Sequence, residues 1–483
     1  MAVAQELVSE GPLMAEPGPD LTHLAHVVPS ARQLAWQELE FYGFLHFGMN
    51  TMTDREWGDG TESPALFAPE TVDADDWVAL CAEAGMSAVI LTCKHHDGFA
   101  LWPTRHSDHS VRSSPWRSGS GDLVREVAQA CARAGLKFGI YLSPWDRAEK
   151  TYGEGTAYDD FYVAQLTELL TGYGPIFCVW LDGANGEGPS GRRQEYDWDR
   201  YHRVVRALQP EAVISVCGPD VRWCGNEAGH TRPDEWSVVP WELRSAELTA
   251  SLSQQADDGA FSRAVRSADE DLGSREALEG YPGEPVWYPA EVNTSIRPGW
   301  FHHDHEDAEV RSAHELFEIY RRSVGGNATL LLNVPPRRDG TIAAEDAVAL
   351  RGLGALIREW EASDIAGEAE TTFSANSVGP CVTLRWPAER EVRAVVLKED
   401  IRLGQRIEGV EIHRVDGDER VLLATAGSVG YQRFIEFPPT RAQQIEVTIT
   451  SSRATPMLAG VGVVQAGQFG PDATSGERRG IGG

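Results

Sequence analysis

Ile176-Phe-Cys-Val-Trp-Leu-Asp-Gly183 decides how this chain is read: six residues of strand length and composition run straight into an aspartate and a glycine. A continuous apolar run without polar alternation is the mark of a strand buried on both faces. An earlier run ends in the same way, with Ala88–Cys93 followed by Lys94-His-His-Asp-Gly-Phe99. Polar groups at the carboxyl ends of parallel strands gather at one mouth, so Asp182, His95 and His96 are placed together on one face of a barrel.

Working outward, Phe41–Phe47, Lys137–Leu142, Val213–Val216, Val286–Val292 and Thr329–Val334 share that length and a richness in Val, Ile, Leu or aromatics. Between the strands, Ala74–Ala84, Asp122–Ala134, Tyr158–Leu170, Trp198–Leu208 and Glu306–Val324 carry apolar residues at helical spacing. Alternation of this kind predicts parallel strands under covering helices, an α/β fold with a (β/α)8-like barrel; an open doubly wound sheet is the competing arrangement. Glu345–Glu361 reads as a closing helix and Ser363-Asp-Ile-Ala-Gly-Glu as a linker.

Beyond the linker the pattern changes. Val392–Leu397, Val410–Arg414, Val421–Ala424, Phe434–Phe437, Ile445–Ile449 and Val461–Val464 are short strands separated by turn residues, as in a C-terminal β-sandwich. The expected organisation is an N-terminal extension over 1–30, a catalytic barrel over 31–363, a sandwich over 364–466 and a disordered Gly-rich tail over 467–483. The sandwich reads as a structural cap on the barrel, with carbohydrate binding as the alternative.

Composition narrows the function. The chain has 483 residues, 42% of them hydrophobic, and 15 Trp, enough for a large core with aromatic binding surfaces besides. A formal charge of −30 repels phosphate backbones and anionic lipids, so neither nucleic acid nor membrane is an expected partner. No window approaches about 18 uninterrupted apolar residues. The first twenty residues lack both Lys or Arg and a sustained apolar stretch, which points to a cytoplasmic protein. Seven scattered cysteines without a Cys-x-x-Cys pair read as reduced, buried thiols rather than a disulfide or zinc framework.

Several polar groups fall at predicted strand ends: His46, the pair His95 and His96, Trp145 and Asp182. Glu227 lies in the loop after Val213–Val216, so that it and Asp182 come from neighbouring strand ends. Two carboxyl groups facing each other across a glycosidic bond are what glycoside cleavage needs, one ionised and one protonated. A strand-ending Asp before Gly also serves simply to close a turn, and Glu227 also fits a solvated loop. Trp180, Trp223 and Trp236 offer aromatic faces for sugar C–H surfaces and apolar walls that raise a carboxyl pKa. His302-His-Asp-His305 together with the earlier pair invites a metal, but adjacent residues leaving a strand point oppositely and no His-x-x-x-His spacing is present. Histidines donating to sugar hydroxyls account for the same residues.

Phe44-Leu-His-Phe-Gly48, Arg55-Glu-Trp-Gly58, Lys94-His-His-Asp-Gly-Phe99, Phe138-Gly-Ile-Tyr-Leu-Ser-Pro-Trp145, Trp180-Leu-Asp-Gly183 and Leu330-Leu-Leu-Asn-Val-Pro335 together resemble the α-L-fucosidases of glycoside hydrolase family 29. The resemblance implies a retaining hydrolase with Asp182 as nucleophile and with no metal or cofactor. It places His46, Glu56, His95 and His96 on the family's fucose-hydroxyl-binding motifs, with Trp57, Tyr141, Trp223 and Trp300 as further substrate contacts. Trp223-Cys-Gly-Asn-Glu-Ala-Gly229, Glu235-Trp-Ser-Val-Val-Pro240, Asp271-Leu-Gly-Ser-Arg-Glu276 and Ser295-Ile-Arg-Pro-Gly-Trp-Phe301 resemble the branch restricted to α-1,3/4 linkages on branched acceptors. That likeness makes Glu227 the acid/base, with Glu291 as the competing carboxylate. The implied partner is a fucosylated oligosaccharide. The Gln254–Glu284 stretch reads either as an acceptor-shaping loop or as a surface insertion.

Overall fold

The computed structural model describes residues 5–6, 22–253 and 271–467. The Gly-rich tail beyond 467, residues 254–270 of the acidic loop and most of the first 21 residues lie outside them. Eight strands build the catalytic barrel: β1 Phe41–Leu45, β2 Ala88–Lys94, β3 Lys137–Leu142, β4 Cys178–Leu181, β5 Val213–Val216, β6 Arg222–Trp223, β7 Ala290–Ser295 and β8 Ala328–Asn333. All neighbours pair in parallel, in the order β5-β4-β3-β2-β1-β8-β7-β6. The two ends of that order meet where Ser215 bridges Val221 in parallel and the Val216 N–H donates to the Val221 carbonyl at 3.2 Å. This near-closure selects the barrel over an open sheet.

Every residue of β1, β2, β4 and β5 is buried, which is why these segments read as unbroken apolar runs. Around them lie α1 Ala74–Glu83, α2 Leu123–Ala134, α3 Thr156–Gly172, α4 Trp198–Leu208, α5 Ala313–Ser323 and α6 Ala344–Ala362. Their ends are set by local chemistry. Asp122 caps α2 by accepting from the Arg125 N–H, Gly135 ends it in the left-handed region, and Ser312 with Glu315 forms a reciprocal capping box on α5.

Two departures from regular alternation matter for the site. First, β5 and β6 are joined by residues 217–221 with no helix between them, and Val216 turns the chain with φ +67°. Second, the stretch expected as one strand over Val286–Val292 divides. Val286–Trp287 pairs antiparallel with Val238–Val239 in a separate ribbon, and the barrel strand begins only at Ala290. Pro289 separates the two pieces, and a residue without an N–H cannot sustain a central ladder there.

The C-terminal module comprises β9 Glu370–Ala375, β10 Pro380–Glu399, β11 Ile407–Asp416, β12 Glu419–Ala426, β13 Arg433–Ser452 and β14 Met457–Gln465. Segments read as separate strands at 434–437 and 445–449 are one long strand, β13, that bends through register shifts against β10. The first part of β10 pairs with β9 and its last part with β14, so the long strands contribute to both layers of the β-sandwich. Val382, Leu384, Trp386, Ile412, Ile445 and Val447 fill the space between. The module is tied to the barrel through Glu40, whose carboxylate meets Lys398 Nζ at 2.9 Å and accepts from the Tyr431 hydroxyl at 3.0 Å. All seven cysteines are buried and free. No helix among the described residues is long and apolar enough to cross a membrane.

Candidate active site

A cavity opens at the carboxyl ends of the barrel strands. Its polar lining comes from His46 after β1, His95 and His96 after β2, Asp182 after β4, Glu227 after β6 and Asn293 on β7. Phe44, Trp57, Tyr141, Trp180, Ala184 and Trp300 supply its walls. A few convergent polar groups in an aromatic cup is the composition of a small-ligand site.

Asp182 both closes its turn and faces the cavity. Its Oδ1 accepts from the Ala184 N–H at 2.8 Å, closing the turn, while Oδ2 accepts from the Tyr141 hydroxyl at 2.8 Å. His96 Nε2 stands 3.9 Å from the same Oδ2. Two donors thus fix the carboxylate while its side chain keeps 20% exposure to the cavity.

The histidines differ in tautomer, and their second partners decide which is which. The Ser143 hydroxyl donates to the Trp145 carbonyl at 2.7 Å, so toward His96 Nδ1, also 2.7 Å away, it must accept. His96 therefore carries its proton on Nδ1 and turns a bare Nε2 to the cavity. The Asn333 amide NH2 donates to Ser295 and to the Trp300 carbonyl, leaving Oδ1 to accept from His46 Nδ1 at 2.8 Å. His46 also keeps Nε2 as an acceptor. Asn50 reverses the arrangement: its Oδ1 accepts from the Gly58 N–H, and its NH2 donates to the Glu56 carbonyl and to His95 Nδ1 at 3.0 Å. His95 is thereby left with Nε2–H, a donor. Burial pushes all three imidazoles down, His46 to about 3 and His96 to about 4, so they are neutral near pH 7.

His95 and His96 both face the cavity, their rings 4.1 Å apart, against the expectation that neighbours leaving a strand diverge. The reason is a turn directly after Lys94, closed by the Gly98 N–H donating to the His95 carbonyl at 3.0 Å. Gly98 has φ +80°, and a Cβ there would meet Asp146 Oδ1 at 2.4 Å, so only glycine fits the corner. Lys94 itself is buried beneath the turn and paired with Asp146 at 2.7 Å.

Glu227 follows β6 rather than β5. It is therefore two strands from Asp182 in the chain order of the barrel, not on a neighbouring strand end as the sequence suggested. The two-residue β6 carries too little pattern to be seen. The Glu227 loop is braced by Asn226, whose Oδ1 accepts from the Ala228 and His230 N–H groups, and Trp300 Nε1 points at Glu227 Oε2 from 3.3 Å. Glu291 takes a different place. Fully buried on β7, it accepts from the Tyr42 hydroxyl, from Trp180 Nε1 at 2.8 Å and from Ser215 at 3.3 Å, and it does not line the cavity. Burial raises its pKa to about 7. That value alone would nominate it as an acid, but its position beneath Trp180 does not.

Two residues that the family resemblance places in contact with substrate, Glu56 and Trp223, are not among those lining the cavity in this structure. Glu56 accepts from the Trp300 N–H at 3.0 Å, from the Phe301 N–H at 3.0 Å and from His303 Nε2 at 3.0 Å, and is absent from the lining. Trp223 donates through Nε1 to Asn293 Oδ1 at 2.9 Å and backs that residue. Trp236, read as a cavity wall, belongs to a separate cluster with Val239 and Tyr288, under the Arg453 guanidinium at 4.1 Å. Asn293 was missed. The period of two along β7 gives the signal, since Glu291 and Asn293 share a face.

A barrel whose mouth gathers two carboxylates, three neutral histidines and stacked aromatics defines a glycoside hydrolase. The α-L-fucosidase family model matches residues 37–361, and the chain belongs to the α-L-fucosidases of glycoside hydrolase family 29. It is 36% identical to alpha-L-fucosidase 1 of Arabidopsis thaliana over 468 residues, covering 90% of this chain and 87% of that one. The structure of a glycoside hydrolase 29 family member from an unknown rumen bacterium superposes with a TM-score of 0.79 at 34% identity, covering 93% of this chain and 79% of that one. A Ruminococcus gnavus GH29 fucosidase solved in complex with fucose gives a TM-score of 0.77 at 26% identity, covering 94% and 97%.

Proposed function

We propose that the protein is a retaining exo-α-L-fucosidase that releases terminal α-1,3- or α-1,4-linked fucose from branched, Lewis-type oligosaccharides. The observation that carries this reading is the convergence of Asp182 and Glu227 on one cavity, with Asp182 held by two donors. In the first step a carboxylate oxygen of Asp182 bonds to the anomeric carbon as the glycosidic C–O bond breaks, and the Glu227 proton passes to the leaving oxygen. In the second, water deprotonated by Glu227 attacks the same carbon and frees Asp182.

The histidines supply recognition. Bare Nε2 atoms on His46 and His96 accept from sugar hydroxyls, and His95 Nε2–H donates to one. Tyr141 and Trp180, stacked 5.4 Å apart, and Trp300 enclose the sugar's apolar face. Linkage preference rests on the segments at 223–229, 235–240, 271–276 and 295–301, which resemble the α-1,3/4 branch.

The test is fucose release by wild type and Asp182→Asn from a Lewis-type trisaccharide and from an aryl α-L-fucoside. Release from the branched sugar that vanishes in the variant is expected, as is azide rescue of the variant giving a β-fucosyl azide. An inverted product overturns the retaining assignment. Activity confined to aryl or α-1,2-linked substrates overturns the linkage and the Glu227 assignment together.

A further inference from the structure

Phe301-His-His-Asp-His-Glu306 contributes nothing polar to the cavity, yet it concentrates three histidines on the loop that carries Trp300. His302 and His303 turn to different partners. His303, buried, points Nδ1 at Asp54 Oδ1 from 2.6 Å and Nε2 at Glu56 Oε1 from 3.0 Å. The exposed His305 ring lies 5.4 Å from that of His303. One ligand atom each from Asp54, His303 and His305 fall within 4.8 Å of one another. Asp54 adopts a left-handed backbone, φ 56° and ψ 49°, at the end of the short helix Met49–Thr53.

We infer that Asp54, His303 and His305 bind a divalent transition-metal ion of the zinc type, as a clamp between the loop after Met49–Thr53 and the loop bearing Trp300. Two imidazole nitrogens and one carboxylate oxygen are the borderline donor set that zinc favours, with water completing the tetrahedron. The partner on the far nitrogen of His303 is the second argument. A ligating imidazole characteristically donates its other N–H to a carboxylate, and Glu56 is in place to accept it. Ligand atoms about 3.3 Å apart suit zinc–ligand bonds of ~2.0–2.1 Å. Asp54 Oδ1, 2.6 Å from His303 Nδ1, must draw back by several tenths of an ångström as an ion replaces the hydrogen between them, and both Asp54 and His305 are exposed side chains with room to adjust.

The neighbouring trio His302, Asp304 and Asp307 is less suited. The Arg297 guanidinium already pairs with Asp307 at 2.9 Å and puts a fixed cation beside the oxygens an ion would need. None of the clamp residues touches the cavity, so the ion takes no part in bond cleavage. Its reach is indirect: Glu56, hydrogen-bonded to His303, also holds the Trp300 and Phe301 N–H groups.

The experiment is calorimetric titration of untagged, chelator-stripped full-length protein with zinc chloride, repeated with cobalt(II) chloride to read the coordination from its visible absorption. One saturable ion per chain is expected. Asp54→Asn and His305→Ala, both at exposed positions, should each weaken binding by about tenfold or more, while His302→Ala leaves it unchanged. At one zinc concentration well above the wild-type dissociation constant, the thermal midpoint should rise more in wild type than in His305→Ala. Absence of saturable binding below millimolar zinc, or equal affinity in wild type, Asp54→Asn and His305→Ala, overturns the site. Because the readout is binding, its failure is independent of the catalytic assignment.

Discussion

The two sides of the cavity are built differently. The side formed by β1 to β4 hangs its polar groups directly on strand ends or on one tight corner, and His46, His95, His96 and Asp182 each have a second partner that fixes orientation. The opposite side rests on the two-residue β6, the Glu227 loop that follows it, Asn293 on β7 and the loop bearing Trp300. There Glu227 sits in a loop braced by Asn226, by Trp300 and by the bridge from Ala228 to Thr294 of β7. Groups that must read one invariant sugar belong on the rigid side. Groups that must meet varied leaving sugars belong on loops, which accept insertion without disturbing the barrel.

The largest effect should come from the rigid side. Asp182→Asn should lower kcat by on the order of 10⁴-fold or more while the thermal midpoint stays close to wild type; a variant retaining a tenth of the activity breaks the assignment. On the loop side, Glu227→Gln should cost on the order of 10²–10⁴ in kcat/KM for a natural glycan and much less in the first step with an activated aryl fucoside. A leaving-group dependence displayed by Glu291→Gln instead would move the acid beneath the cavity floor.

Smaller effects sharpen the contrast. Ser143→Ala removes the acceptor that sets the His96 tautomer and should weaken kcat/KM by roughly tenfold, about 1.4 kcal/mol, on all fucosides alike. A loss that depends on the acceptor sugar would show that the rigid side also reads the leaving group. The smallest effect concerns pH. His96 has its pKa lowered by burial to about 4, so it is neutral above that value and protonates only as pH falls toward it. Fucose affinity should therefore be flat from about pH 8 to 5 and decline as pH approaches 4, since a protonated Nε2 no longer accepts. An inflection near the ordinary histidine value of about 6.5 would contradict the burial argument.

Legibility in the sequence followed the same division. Lys137–Leu142, Val213–Val216 and Trp198–Leu208 appear with the bounds their patterns suggested, because long apolar or amphipathic runs carry their own period. Arg222–Trp223 has no period to show, so the sequence pattern places Glu227 after β5 where the structure places it after β6. The residues that set tautomers, Asn50, Ser143 and Asn333, act through contacts between chain segments up to 287 residues apart, which no local pattern records. Glu56 carries its family motif, and its partners, the Trp300 and Phe301 N–H groups some 245 residues away, are contacts that no local pattern records.

The opposed tautomers of His95 and His96 carry one more consequence. A hydroxyl group both gives and takes a hydrogen bond, whereas fluorine in its place only takes, and weakly. Fucose analogues fluorinated one position at a time would thus keep their match to the His95 N–H while losing it to the bare nitrogens of His46 and His96. The cavity is polarised like an electrical fitting, and a sugar with the right shape but the wrong sense of hydrogen bonding will not seat in it.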